Sequence, residues 1–224
     1  MTKKYLDNEF QSIVRFFFHH VFRTSVDKPG YALLDLGNAI NSLELRKYMI
    51  ALKHEIDQLC RERFDKKLAY QWLTRFDQQE STKLHQDNAG DQSFLMLGYE
   101  PTDILSELYI ADYVKFCYDQ QLQPAQFFEK FNPLFKDQYK KIKPYITKIQ
   151  HFKKDHYQIV LINNSNSVGK TQTLGLLHQA KMIKNHSNKS RVVNSMMLNM
   201  INRYEHQFSN IDEQEFKTTD KINR

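Results

Sequence analysis

Two hydrophobic periods alternate along the chain. In NSLELRKYMIALKHEIDQLCRERF (41–64) apolar residues recur at helical spacing, as Leu45, Met49, Leu52, Ile56 and Leu59, which predicts an amphipathic helix. Asn41 or Ser42 precedes it and Glu44 stands in its first turn, the residue types that satisfy the free amides of a helix start. Upstream, the aromatic run from Ile13 to Phe22 is broken by Arg15, His19 and His20. It is too short and too polar to span a bilayer, and reads as a helix packed on the body of the protein. KPGYALLDLG (28–37) is a turn followed by a short strand.

After residue 66 the period shortens. AYQWLTRFD (69–77), TKLHQDN (82–88) and SFLMLGYE (93–100) are rich in aromatic and branched residues and bounded by turn formers, so each predicts a strand. ILSELYIADYVKFCYDQQ fits a strand running into a helix. From Tyr113 to Gln150 the pattern is helical and aromatic, divided by Pro124, Pro133 and Pro144. Strands return in YQIVLINN (157–164), TLGLLHQAKM (173–182) and RVVNSMMLN (191–199).

The outline is a single domain of α+β, mainly β, class. Its parts are an N-terminal helical flank (1–66), a strand-rich core (69–199) with a helical insertion (about 113–150), and a polar C-terminal tail (202–224). Strand–helix–strand alternation is scarce, which argues against a doubly wound parallel sheet and for an antiparallel sandwich or barrel with flanking helices.

Composition adds little to this. Hydrophobic residues at 41% and charged residues at 26% suit an ordinary folded protein, here expected in the cytoplasm. The net charge of +6 is spread along the chain, so it favours anionic partners only weakly. Cys60 and Cys117 are far apart with no CxxC, and read as buried thiols in a reducing compartment.

Two stretches carry candidate chemistry. In NNSNSVGKT, Gly169, Lys170 and Thr171 supply the second half of a phosphate-binding loop, but Asn164 stands where the first Gly belongs. A following helix and a later strand ending in an acid are also wanted, and LGLLH and RVVNSMML end without one. A polar loop between two strands fits better; nucleotide binding through 164–171 is the lesser alternative.

The second stretch is KLHQDN. On a strand, His85 and Asp87 project to one face and offer an imidazole and a carboxylate to the same metal. A non-haem iron site needs one more imidazole, and His178 lies on a later predicted strand, with Arg191 opening the strand after that. Each residue alone reads equally well as a core or surface side chain; the ordered set is the signal.

HxD, a distant His and an Arg on the next strand resemble the iron(II)- and 2-oxoglutarate-dependent oxygenase superfamily, over roughly residues 69–199. The resemblance implies a double-stranded β-helix, a jelly-roll, cupin-like barrel with helices outside. It implies His85, Asp87 and His178 as iron(II) ligands and Arg191 as the residue binding the distal carboxylate of 2-oxoglutarate. Many members carry a hydroxyl two residues after the Arg. Here that position is Val193, and Ser195, on the same face, takes the assignment. The presence of Asp87 points to hydroxylation, since halogenating members replace this carboxylate.

Cosubstrates would be 2-oxoglutarate and O2, and the substrate a small polar metabolite, with no membrane partner. Arg75, on the strand leading to HxD, is the candidate for an anionic substrate group. A branch that demethylates nucleic acid bases is the alternative. It normally carries a second Arg six residues after the first, where this chain has Met197, and no basic stripe marks a nucleic-acid groove, so a nucleic acid partner is disfavoured. A non-catalytic barrel using the same pocket is the remaining alternative.

Overall fold

The computed structural model describes residues 3–130, 136–167, 173–184, 188–205 and 211–223. Two antiparallel sheets dominate it. The larger runs β1 (Tyr31–Asp35), β6 (Gln158–Asn163), β3 (Ser93–Tyr99), β8 (Val192–Asn202) and β2 (Lys66–Asp77), in that spatial order. The smaller runs β5 (Ile146–Lys148), β4 (Leu105–Ala111) and β7 (Leu177–Lys184). Six α-helices are formed among the described residues: α1 (Lys3–Val21), α2 (Ser42–Phe64), α3 (Tyr113–Asp119), α4 (Pro124–Lys130), α5 (Lys136–Ile142) and α6 (Glu213–Thr218). None is long and apolar enough to cross a membrane.

Helix α2 starts where its local chemistry says it should. The Asn41 side chain accepts from the Glu44 amide and the Glu44 carboxylate accepts from the Asn41 amide, a complete capping box. The inner face of α2 buries Leu45, Met49, Leu52 and Ile56 against the larger sheet, beside Val14, Phe17 and Val21 of α1.

Strands β3 and β6 are buried along their whole length, which explains their unbroken apolar runs. Phe94, Met96, Ile159 and Leu161 face the helices. Their alternates Leu95, Leu97, Val160 and Ile162 face the smaller sheet. Truncating such a side chain to Ala typically costs ~2–5 kcal/mol. A third cluster, centred on Tyr113, Phe116 and Phe127, packs the helical insertion against Leu84 and Leu177.

Several expectations need revision. The 82–88 segment is not a strand: only His85 forms a ladder bridge, to His178. The helical insertion closes with a 3-10 turn (Lys143–Tyr145) and the short strand β5, while Pro133 lies outside the described residues. Strand β7 begins at Leu177, later than the period-2 pattern suggested. The polar C-terminal stretch folds back as α6 with Phe216 buried, and Arg46 donates to the carbonyls of Phe216 and Thr219 at 2.9 and 2.6 Å.

Candidate metal centre

The edge of β7 brings the two histidines together. His85 and His178 exchange both backbone hydrogen bonds, at 3.1 and 2.9 Å, so they sit directly opposite with side chains on one face. Upstream, Thr82 continues the pairing through its amide to the Ala180 carbonyl, and its hydroxyl accepts from the Ala180 amide. The imidazoles lie 4.2 Å apart between centroids. Asp87, two residues on, turns its carboxylate between them: Oδ1 is 3.5 Å from His85 Nε2 and Oδ2 is 3.6 Å from His178 Nε2. One donor atom from each of the three lies within 4.8 Å of the others, the only such cluster of His, Cys, Asp or Glu among the described residues. This group can hold a metal ion.

The orientation of His85 follows from its partner. Its Nδ1 is 2.7 Å from the Lys83 carbonyl, which can only accept, so Nδ1 carries a proton and Nε2 is the nitrogen turned to Asp87. The hydrogen bond with Asp87 raises the His85 pKa, against its burial. Burial, reinforced by the neighbouring His85, holds His178 down at about 4, so it is the neutral ligand form at neutral pH. Burial opposes the charge of Asp87, yet the hydrogen bond with His85 and the fields of both imidazoles keep its pKa below the ordinary carboxylate value.

All three residues open into a cavity of about 390 Å³ between the sheets. Trp72, Leu95, Leu97, Leu108, Ile110 and Ile162 supply its apolar walls, and among the described lining residues Asp87 is the only Asp, Glu, Lys or Arg. Ser195 also lines it, and its Oγ accepts from the Trp72 indole at 3.0 Å.

Arg191 lies behind the cavity wall, 1% exposed. Its Nε donates to Ser106 Oγ at 2.9 Å, its Nη1 to Gln78 Oε1 at 2.6 Å, and its guanidinium sits 4.9 Å over the Tyr99 ring. Gln78 and Tyr99 are themselves lining residues. Burial lowers the Arg191 pKa, and no carboxylate pairs with its guanidinium among the described residues. Its Nη2 has no hydrogen-bond partner among the described residues. Only two other buried side-chain atoms among the described residues share that condition, and one is Nδ1 of His178. Val193 is fully buried between the sheets.

Arg75 is elsewhere, which corrects its expected role. Trp72, Thr74 and Phe76 line the cavity, so alternation sends Arg75 to the opposite, helix-covered face. There it bonds Asn194 Oδ1 at 3.0 Å, the Thr219 carbonyl at 2.7 Å and Glu100 Oε1 at 3.0 Å. It is a structural ion pair across the sheet. The alternation with Trp72 and Phe76 was visible in the sequence and could have predicted this.

Sequence reasoning expected a polar loop after β6 but missed its contact with the Asp87 segment. Asn164, Ser165 and Ser167 are buried, and Asn164 contacts the main chain of Asp87. Gly169, Lys170 and Thr171 lie outside the described residues. Among the other histidines, His54 pairs with Glu213 and His156 with Asp35, both on the surface.

No protein-family model matches the chain, and no curated protein matches it. The class defined by fold and site together is an antiparallel two-sheet sandwich with a His-Asp-His group able to bind a metal.

Proposed function

We propose that this chain is an iron(II)- and 2-oxoglutarate-dependent oxygenase that hydroxylates a C–H bond of a small molecule and releases succinate and CO2. The observation that carries this reading is the convergence of His85, Asp87 and His178 on a cavity backed by a buried, under-paired arginine. Two imidazoles and one carboxylate form the donor set of non-haem iron(II) oxygenases, and three ligands leave positions for a cosubstrate and oxygen.

The strand order supports a double-stranded β-helix core. Strands β2, β3, β6 and β8 belong to the larger sheet, and β4, β5 and β7 to the smaller. The 82–85 segment joins the smaller sheet at the free edge of β7, so successive strands cross between sheets as a jelly roll requires.

The chain's own residues fit the expected groups. His178 offers a neutral nitrogen, Asp87 a charged oxygen, and His85 its Nε2, which a metal would take in place of the proton. Arg191 offers a guanidinium nitrogen with no partner among the described residues, suited to a carboxylate through paired, charge-assisted bonds. Along β4, Ser106 holds Arg191 while Ile110 lies opposite His178; four residues at ~3.3 Å each separate the two ends by ~13 Å, room for a five-carbon dicarboxylate between them. When bound, iron(II) and 2-oxoglutarate supply the oxidation of a C–H bond by O2. Trp72, Leu95, Ile110 and Ile162 exclude water around that bond, and Ser195 supplies a hydroxyl on the same wall.

A described lining that holds one aspartate and no Lys or Arg favours a neutral substrate over a polyanion. Met197, at the place of the second arginine in the base-demethylating branch, is fully buried in the inter-sheet core, which weakens that alternative.

Anaerobic addition of Fe(II) and then 2-oxoglutarate is expected to give a weak visible charge-transfer band, and His178→Ala to abolish it. An unchanged band in that variant removes His178 from the site. No band in the unaltered protein overturns the proposal.

A further inference from the structure

We infer that Asn164 is a positioning residue of the metal centre: its carboxamide holds the main chain of Asp87 as a neighbouring strand would, and so aims the Asp87 carboxylate at the two histidines. This rests on the metal-binding reading of His85, Asp87 and His178 and adds a residue that the ligand pattern does not contain.

The need arises from the local backbone. After the bridge at His85 the ladder ends, and residues 86–92 belong to no strand. Asp87 therefore has no strand partner, although its carboxylate must hold a fixed direction. Asn164 supplies both missing bonds. Its Oδ1 accepts from the Asp87 amide at 2.9 Å, and its Nδ2 donates to the Asp87 carbonyl at 3.0 Å. A carboxamide carries the same donor and acceptor as a peptide group, so one side chain satisfies both polar groups of the Asp87 main chain.

The clamp is itself held. The Asn164 amide donates to the Ser93 carbonyl at 2.9 Å, carrying the β3–β6 pairing one residue past the strand end. Its Nδ2 also donates to Ser93 Oγ at 2.9 Å, and the side chain is 3% exposed. The neighbouring residues bind the same segment: Gln86 Nε2 donates to the Ser165 carbonyl at 2.8 Å, so the middle residue of HxD is drawn away from the metal face. Gly175 lets the chain close over this contact, since a Cβ there would fall 1.8 Å from Ser165 O and 2.8 Å from Gln86 Nε2. The Asn that takes the place of the first Gly of a phosphate loop thus faces the metal-binding segment.

The test compares metal affinity with fold stability. Co(II) and, anaerobically, Fe(II) are titrated into the full chain and its variants, and the melting temperature of each metal-free protein is recorded. Asn164→Ala is expected to weaken metal binding ~10–100-fold, the usual effect of removing a group that orients a ligand. Thr173→Ala serves as the control. Its hydroxyl bonds Ser165 Oγ at 2.8 Å and Gln92 Oε1 at 2.9 Å in the same loop without touching Asp87, so it is expected to lower stability while metal affinity stays put.

If Asn164→Ala gives no folded protein, Asn164→Asp keeps the size and the acceptor but loses the donor to the Asp87 carbonyl. It is then expected to bind Co(II) more weakly despite its added negative charge. A folded Asn164 variant with unaltered metal affinity overturns the inference and leaves the metal centre standing. Failure of the unaltered chain to bind either metal overturns both.

Discussion

Arg23 and Arg191 are both buried, at 0% and 1% exposure, yet one is saturated and the other is not. Arg23 makes a two-pronged pair with Asp112, at 2.6 and 2.8 Å, and donates to the carbonyls of Lys28, Leu174 and Gly175. Every N–H of its fork has a use. It ties the end of α1 to the start of α3 and to the chain entering β7. Arg191 has one hydroxyl, one amide oxygen, an aromatic face and a nitrogen with nothing.

Under the proposed function, the difference separates a joint from a receptor. A buried charge left incompletely paired is costly, so it persists where a ligand completes it or a function requires it. At Arg23 the completing groups are built into the chain. At Arg191 the proposed function assigns that part to the carboxylate of 2-oxoglutarate.

The comparison predicts opposite responses to mutation. The largest effect is expected at the joint: Asp112→Ala strands Arg23 without a counter-charge and should lower stability by ~3–5 kcal/mol, read by urea unfolding. Unfolding free energy within ~1 kcal/mol of the unaltered protein would mean that the pair is not the joint described.

Next comes ligand linkage. Fe(II) with 2-oxoglutarate at a hundredfold excess over its dissociation constant should raise the unfolding free energy by ~2.7 kcal/mol. Arg191→Met should lose most of that gain through weaker 2-oxoglutarate binding, by ~1.5–3 kcal/mol, while the ligand-free protein is as stable as before or more so. A large loss of ligand-free stability in Arg191→Met, with the 2-oxoglutarate response intact, would make Arg191 a second joint and break the comparison. The smallest effect is at Ser106→Ala, which removes the acceptor of Arg191 Nε and should cost ~1 kcal/mol of stability with a modest fall in 2-oxoglutarate affinity, measured by the same two titrations.

Legibility followed range. The α2 cap was readable because Asn41 and Glu44 are three residues apart and act on each other. Strands β3 and β6 were readable because burial on both faces leaves unbroken apolar runs. The 82–88 segment misled because its pattern is strand-like, while beyond His85 the bonds to Asp87 come from a side chain that is 77 residues away in sequence. Residues 202–224 look like a tail because they are polar. One buried Phe216 and the guanidinium of Arg46 decide otherwise.

The candidate ligands divide in the same way. His85 and Asp87 are neighbours in sequence, so their shared face is a property of the local backbone and could be read directly. That His178 lies opposite His85, that Arg191 keeps a free nitrogen where Arg75 does not, and that Asn164 grips Asp87 depend on strand register and on which side of the larger sheet each residue occupies. Composition and periodicity set the elements and the chemical types available. Only folding, which places groups nearly a hundred residues apart within hydrogen-bonding reach, decided which of them meet.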